Sequence, residues 1–203
     1  MTSELSEIER AIAVELRAEA LEQVALLTLR AYGDELLGYL IASLRSEQQA
    51  SEVFSMFAED LWQALPKLAL RSTMRAYCYA LARHAARRYL DRDVRKQRRY
   101  VPLSAALSRA VQATRTATGA HLLSENKRRI AVLRARLSDE ERELLTLRID
   151  RGLSWHEVAE ALGAEAAASD AIARYRKRFQ LTKQKLARWA REEGIVPSDE
   201  SES

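Results

Sequence analysis

The chain is poor in everything that builds disulfides, hairpins or membrane spans. Its 203 residues include one cysteine, three prolines and six glycines. A single cysteine, Cys78, excludes an intramolecular disulfide and suits a reducing compartment. Set among apolar neighbours, it reads as a small buried side chain. So little proline and glycine leaves few turns for strands, whereas the strong helix formers Ala, Leu, Arg and Glu abound, and the expected fold class is all-α. No apolar run approaches the roughly 20 residues of a membrane-spanning helix, and the acidic N-terminal segment lacks the basic start of a secretion signal. The expectation is a cytoplasmic protein with no membrane partner.

What is present is charge, unevenly placed. The formal net charge of +4 hides a division: residues 1–65 contain four Arg against twelve Asp or Glu, whereas residues 71–99 contain ten Lys or Arg against only Asp91 and Asp93. A third segment, Ala171 to Arg191, carries eight Lys or Arg and no acidic residue. Exposed helical cations are often only a solvated face. Solubility alone, however, asks for interspersed signs, so uncompensated runs of one sign point to a polyanionic partner.

Along the chain, apolar positions from Ile8 to about Arg45 keep a helical period, interrupted at Tyr32-Gly33-Asp34, and two helices are expected there. Val53, Phe54, Phe57, Leu61 and Leu65 continue the pattern from Ala50, and Pro66 ends it because proline disfavours helix at the residue before it. Ser72 opens a further helix through Met74, Tyr77, Leu81 and Ala85 to about Gln97. That helix is apolar and aromatic at its start and basic at its end. Tyr77, Tyr79, Tyr89 and Tyr100 interleave with its cations, as in surfaces that stack single-stranded bases; packing into a core is the alternative role for Tyr77 and Tyr79. Residues 101–125, with Pro102, Gly119 and several Ser and Thr, form the expected linker, although their Ala and Leu suffice for a transient helix. The tail after Ile195 is acidic, small and expected to be unstructured.

The C-terminal third carries the sharpest local signals. Ser138 and Glu141, then Ser154 and Glu157, each form a Ser-x-x-Glu capping box, in which each side chain satisfies the other residue's free backbone N–H at a helix start. Arg151-Gly152 and Gly163 supply the matching stops, since glycine enters the left-handed region at little cost. A third helix from Asp170 has Ile172, Tyr175, Phe179, Leu186 and Trp189 on one face and Arg174, Lys177, Arg188 and Arg191 on the other. Two short capped helices followed by a long basic one have the order of a helix-turn-helix.

Enzymatic chemistry finds no footing in this pattern. His156-Glu157 begins a zinc-protease-like motif, but Glu160 stands where the second His is required. His84, His121 and His156 are scattered, and neither a Ser-His-Asp set nor a phosphate-cradling glycine loop is visible. No catalytic residue, metal or cofactor is expected.

From about Glu22 to Arg191 these residues resemble the extracytoplasmic-function (ECF) sigma factors, bacterial transcription-initiation subunits with two small helical domains joined by a linker. Ala50-Ser-Glu-Val-Phe-Ser-Met-Phe-Ala-Glu-Asp-Leu-Trp62 resembles the family's Ala-x-Asp-apolar-apolar-Gln helix, which docks on the polymerase clamp. Glu52 and Ser55 stand in place of its Asp and Gln. Met74-Arg-Ala-Tyr-Cys-Tyr-Ala-Leu-Ala-Arg-His84 resembles the Trp-Leu-x-x-Ile-Ala-Arg-Asn segment that reads and melts the start-proximal promoter element. Leu137 to Leu147 and Gly152 to Gly163 resemble the upstream-element domain. After Gly163 the family passes quickly into its recognition helix, whereas this chain inserts Ala164 to Ser169.

The resemblance implies a domain over residues 1–100, a linker over 101–125, a helix-turn-helix domain over 126–194 and a tail over 195–203. It implies core RNA polymerase and promoter DNA as partners, with an anti-sigma factor as a further one. The polymerase-facing set would be Glu52, Ser55, Glu59 and Trp62. The DNA-facing set would be Arg83, His84, Arg87, Arg88, Arg92 and Arg95 for the melted strand, and Trp155, His156, Arg174, Tyr175, Arg176, Lys177 and Arg178 for the upstream duplex. The competing reading is an autonomous helix-turn-helix regulator that binds duplex DNA as a dimer, with residues 1–70 as a dimerisation or ligand domain.

Overall fold

The computed structural model describes residues 2–70, 72–91, 104–117, 132–164 and 169–195. Every regular element among them is helical. α1 (Thr2–Arg17) leads into α2 (Leu21–Leu44), followed by α3 (Glu47–Ala64) and α4 (Met74–Leu90). α5 (Ala105–Ala117), α6 (Asp139–Leu145), α7 (Trp155–Ala161) and α8 (Ser169–Glu192) complete the order.

α2 is the axis of the molecule. It packs against α1, α3, α4 and α5, and a helix with neighbours on so many sides must be apolar nearly all round. Val24, Ala25, Leu29, Tyr32, Leu36, Leu37 and Leu40 are all buried. The helix runs unbroken through Gly33, which corrects the interruption expected at Tyr32-Gly33-Asp34; the break lies earlier, where Glu19 adopts φ 55°. Gly33 serves a close approach instead. A Cβ built there would stand 2.9 Å from Thr114 Oγ1, so its missing side chain is what lets α5 lie against α2.

α5 falls inside the stretch expected as a linker. Ser104 caps it by accepting the Leu107 N–H (3.3 Å). Leu107, Val111 and Thr114, spaced by four and three, are buried, so this part of the connection is a packed amphipathic helix. α3 starts three residues before the expected Ala50, because Ser46 accepts the Gln49 N–H. It passes through Leu65–Lys67, a 3-10 turn containing Pro66. α4 is capped by Thr73 rather than Ser72 and closes at Asp91; residues 92–97 lie outside the described ones.

In the C-terminal part both capping boxes form with reciprocal bonds. α6 runs into a π turn over Thr146–Asp150, and Gly152 then takes φ 65°. At the end of α7, the Gly163 N–H reaches the Glu160 carbonyl (2.8 Å) and the Ala164 N–H reaches the Ala159 carbonyl (2.9 Å). These are the two bonds of a Schellman stop, with Gly163 in the left-handed region. Phe179 and Thr182 seat α8 on α6 and α7. One apolar cluster runs from Ile12 to Phe179 without a gap between the two parts of the chain, because α4 packs along α7.

Candidate nucleic-acid and polymerase interface

α3 divides cleanly into two faces. Ala50, Val53, Phe54, Phe57, Ala58 and Leu61 fill the core. Glu52, Ser55, Glu59 and Trp62, at spacings of three, four and three, share the other face. Glu52 is exposed and the other three are half-buried. Ser55 Oγ donates to the Ser51 carbonyl (3.2 Å), so its side chain follows its own helix.

α4 is positioned by a carboxylate from α1. Glu9 accepts the Met74 N–H (2.8 Å), the Arg75 N–H (3.0 Å) and the Tyr32 hydroxyl (2.6 Å). A negative charge at a helix N-terminus meets unpaired amides and the positive end of the dipole. Arg75 follows immediately and is buried. It holds Glu35 through two bonds of 2.7 and 2.9 Å and donates a third to the Arg151 carbonyl at the end of the π turn (2.6 Å). Burial opposes the charge of Arg75, yet Glu35 outweighs it and raises the guanidinium pKa.

The six residues expected to hold a melted strand divide three ways. His84 and Arg87 are exposed on α4. Arg83 turns inward: its Nε donates to Glu143 Oε1 (2.7 Å) and its Nη1 to the Leu162 carbonyl (3.2 Å). Glu143 Oε1 also accepts the Tyr39 hydroxyl (2.7 Å). Burial, reinforced by Glu143, pushes the Tyr39 phenol well above its ordinary range. Arg88 pairs with Asp60 of α3. Arg92 and Arg95 lie outside the described residues, as does Tyr100. Tyr79 is fully buried and meets Tyr39 edge-on at 5.2 Å between ring centroids, which assigns it to packing. Tyr77 and Tyr89 are half-buried against the same core. Cys78 is buried too, and burial raises its thiol pKa, which removes the thiolate that reactive chemistry needs.

The C-terminal set is more open. Arg174, Arg176, Lys177 and Arg178 are exposed on α8, and His156 is exposed on α7. Arg178 meets Glu140 in an exposed ion pair. Tyr175 is half-buried. Trp155 is half-buried as well, edge-on to Phe179 at 5.3 Å, with Arg148 and Arg176 over its ring at 5.2 and 5.8 Å. It therefore ties α7 to α8 while leaving part of its surface free. Lys185 of α8 grips both oxygens of Glu141, and although burial works against it, the bonds from Ser138 and Lys185 lower the Glu141 pKa. Of the insertion, residues 165–168 lie outside the described ones.

Sequence reasoning missed the residues that join the two parts. Thr73 donates to Glu157 (3.0 Å), Ser72 bonds Glu160, and Arg75, Arg83 and Tyr39 reach Arg151, Leu162 and Glu143. Tyr39 and Glu143 are 104 positions apart, and no local pattern marks such a pair. Among the described residues no group of three or more His, Cys, Asp or Glu is arranged to hold a metal, and no helix is long and apolar enough to cross a membrane.

No family model and no curated protein sequence matches the chain. Its fold is similar to the solved structure of CnrH in complex with the cytosolic domain of CnrY. The TM-score is 0.57 at 17% sequence identity, over 91% of this chain and 98% of that one. At that identity the likeness speaks for a shared helical fold along nearly the whole length.

Proposed function

We propose that the chain is a bacterial RNA polymerase sigma factor of the ECF type, acting in the cytoplasm without catalysing a reaction itself. The reading rests on one juxtaposition. A capped helix-turn-helix with a solvent-facing Arg174-Arg176-Lys177 surface shares a chain with a second helical unit, in which α3 carries the clamp-type face Glu52, Ser55, Glu59 and Trp62. The sequence resemblance and the fold shared with CnrH support it.

On this reading α3 docks on core polymerase. α8 enters the upstream major groove, where Arg174, Arg176 and Lys177 reach phosphates and base edges; Tyr175, Arg178, Trp155 and His156 border that surface. His84 and Arg87 meet the melted strand, together with Arg83, Arg88, Arg92 and Arg95 of the same basic segment. Phosphate contacts alone are salt-sensitive and carry no sequence information, so two weak readers gain by being tethered to one polymerase. The complex of CnrH with a second polypeptide supports an anti-sigma partner here as well.

The test is co-migration of the purified chain with bacterial core RNA polymerase in gel filtration at physiological salt. A stable one-to-one complex is expected, and Trp62→Ala should weaken it. Replacing His84 and Arg87 with Ala should spare that complex and reduce open-complex formation. Absence of a complex, with dimeric binding to duplex DNA retained, would overturn the reading in favour of an autonomous regulator.

A further inference from the structure

α8 is longer than the surface so far assigned to it. The DNA-facing set ends at Arg178, yet the helix continues to Glu192, and its distal half carries Lys183, Lys185, Arg188 and Arg191. On the inner side of that half, Lys185 is held by Glu141. Lys185 and Arg136 also flank the Trp189 ring, at 5.1 and 4.4 Å from its centroid. Leu186 and Trp189 pack on the apolar cluster. The last turns of α8 are thus fixed to α6 and the residues before it, and the outward side chains stand on a rigid support.

On the outer side Lys177, Leu181, Gln184, Arg188 and Arg191 follow at spacings of four, three, four and three, which is one stripe of a helix. All five are exposed. The last four border a single open hollow, together with Lys185 and Glu192. Glu192 lies 3.7 Å from Arg188 with both side chains more than half exposed, a kind of pair worth little in water. Glu193 turns to Arg136 instead. Arg191 Nε donates to the Ala187 carbonyl of its own helix (3.3 Å). The stripe therefore ends in two guanidinium groups with no firm carboxylate partner among the described residues.

Length decides what such a stripe can touch. Arg174 and Arg191 are 17 residues apart, roughly 25 Å along a helix axis, whereas the major groove of duplex DNA is about 12 Å wide. With the first turns of α8 between the groove walls, its last turns lie beyond them, where the anionic surface is the phosphate backbone. We propose that Arg188 and Arg191, with Gln184 between them and Lys177, form a second phosphate-binding surface that carries the DNA footprint of α8 past the groove. This rests on the DNA-binding role given to α8 above. Guanidinium forks match phosphate oxygens. Such contacts carry no sequence information, so the distal pair adds affinity and fixes how far α8 slides along its groove, while the choice of bases stays with the first turns.

The experiment measures the affinity of the full-length chain for a mixed-sequence DNA duplex about three helical turns long across a series of salt concentrations. Arg188→Ala with Arg191→Ala is compared with Arg10→Ala and Arg17→Ala, which remove the same charge from exposed positions on α1. The distal pair should lower the slope of log affinity against log salt by about 2, one for each phosphate contact. The α1 pair should leave the slope unchanged, and Arg188→Lys with Arg191→Lys should restore it, since counterion release follows charge. An unchanged slope in the distal variant would overturn the proposal, and so would an equal fall in both Ala variants, which would mark a net-charge effect. If the distal variant loses helical content by circular dichroism, Arg188→Gln with Arg191→Gln is measured in its place, with the same outcomes. Core polymerase is absent from these assays. Failure of the unaltered chain to bind polymerase would therefore count against the sigma reading while leaving the slope result standing.

Discussion

α4 and α8 are both basic, both helical and both assigned to nucleic acid, yet the structure gives their cations opposite surroundings. On α4, Arg75, Arg83 and Arg88 each meet a protein carboxylate, from Glu35, Glu143 and Asp60 respectively. On α8, Arg174, Arg176 and Lys177 are exposed, and Arg178 has only an exposed partner. The difference is one of layers. α4 lies between α2, α3 and α7 and has little free surface, whereas α8 packs through one face on α6 and α7. Arginine thus serves mainly as a structural rivet on α4, Arg87 excepted, and mainly as a solvent-facing cation on α8.

Substitutions that treat the two helices alike should separate them. The largest effect is expected for Arg75→Ala, which strands the Glu35 carboxylate and the Arg151 carbonyl: breaking a buried pair costs about 3 kcal/mol, visible as a lower urea midpoint. Glu9→Ala comes next, at about 2 kcal/mol, since it leaves two amides at the α4 start and the Tyr32 hydroxyl without their acceptor. Ser154→Ala removes one capping interaction and should cost about 1 kcal/mol. Replacing Arg174 and Lys177 with Ala should move stability by no more than about 0.5 kcal/mol each. The same pair should lower the slope of log affinity against log salt for duplex DNA by about 2, one for each lost phosphate contact. A stability loss at Arg174 and Lys177 comparable to that at Arg75 would erase the contrast between the helices.

Acidity offers a finer probe. Glu141 has a folded-state pKa below its ordinary value of 4.5. Its contribution is therefore fully present above that ordinary value and is lost as pH falls through the lowered one. Glu141→Gln should flatten this part of the acid-unfolding curve, and Lys185→Met should reproduce part of the flattening, because Lys185 and Ser138 together set the shift.

Local chemistry was legible. The two capping boxes, the glycine stops and the basic face of α8 follow from residues three or four positions apart, and each forms as its spacing requires. Gly33 shows where such reading fails. A glycine within a helical pattern can mark a break or a close approach, and the choice depends on Thr114, 81 positions later. Within residues 101–125 only a transient helix was legible for the same reason, since α5 gains its stability from burying Leu107 and Val111 rather than from propensity alone. Tyr79 joined the core rather than a base-stacking surface because α2 placed Tyr39 against it.

By itself the sequence determined that this protein is helical, where its C-terminal helices start and stop, and which segments carry positive charge, since all of these are settled within a turn or two of backbone. Only the tertiary structure decided which cations stay free. That depends on carboxylates such as Glu143, 60 positions from Arg83, which folding brings within hydrogen-bonding distance while the apolar cluster closes between α4 and α7.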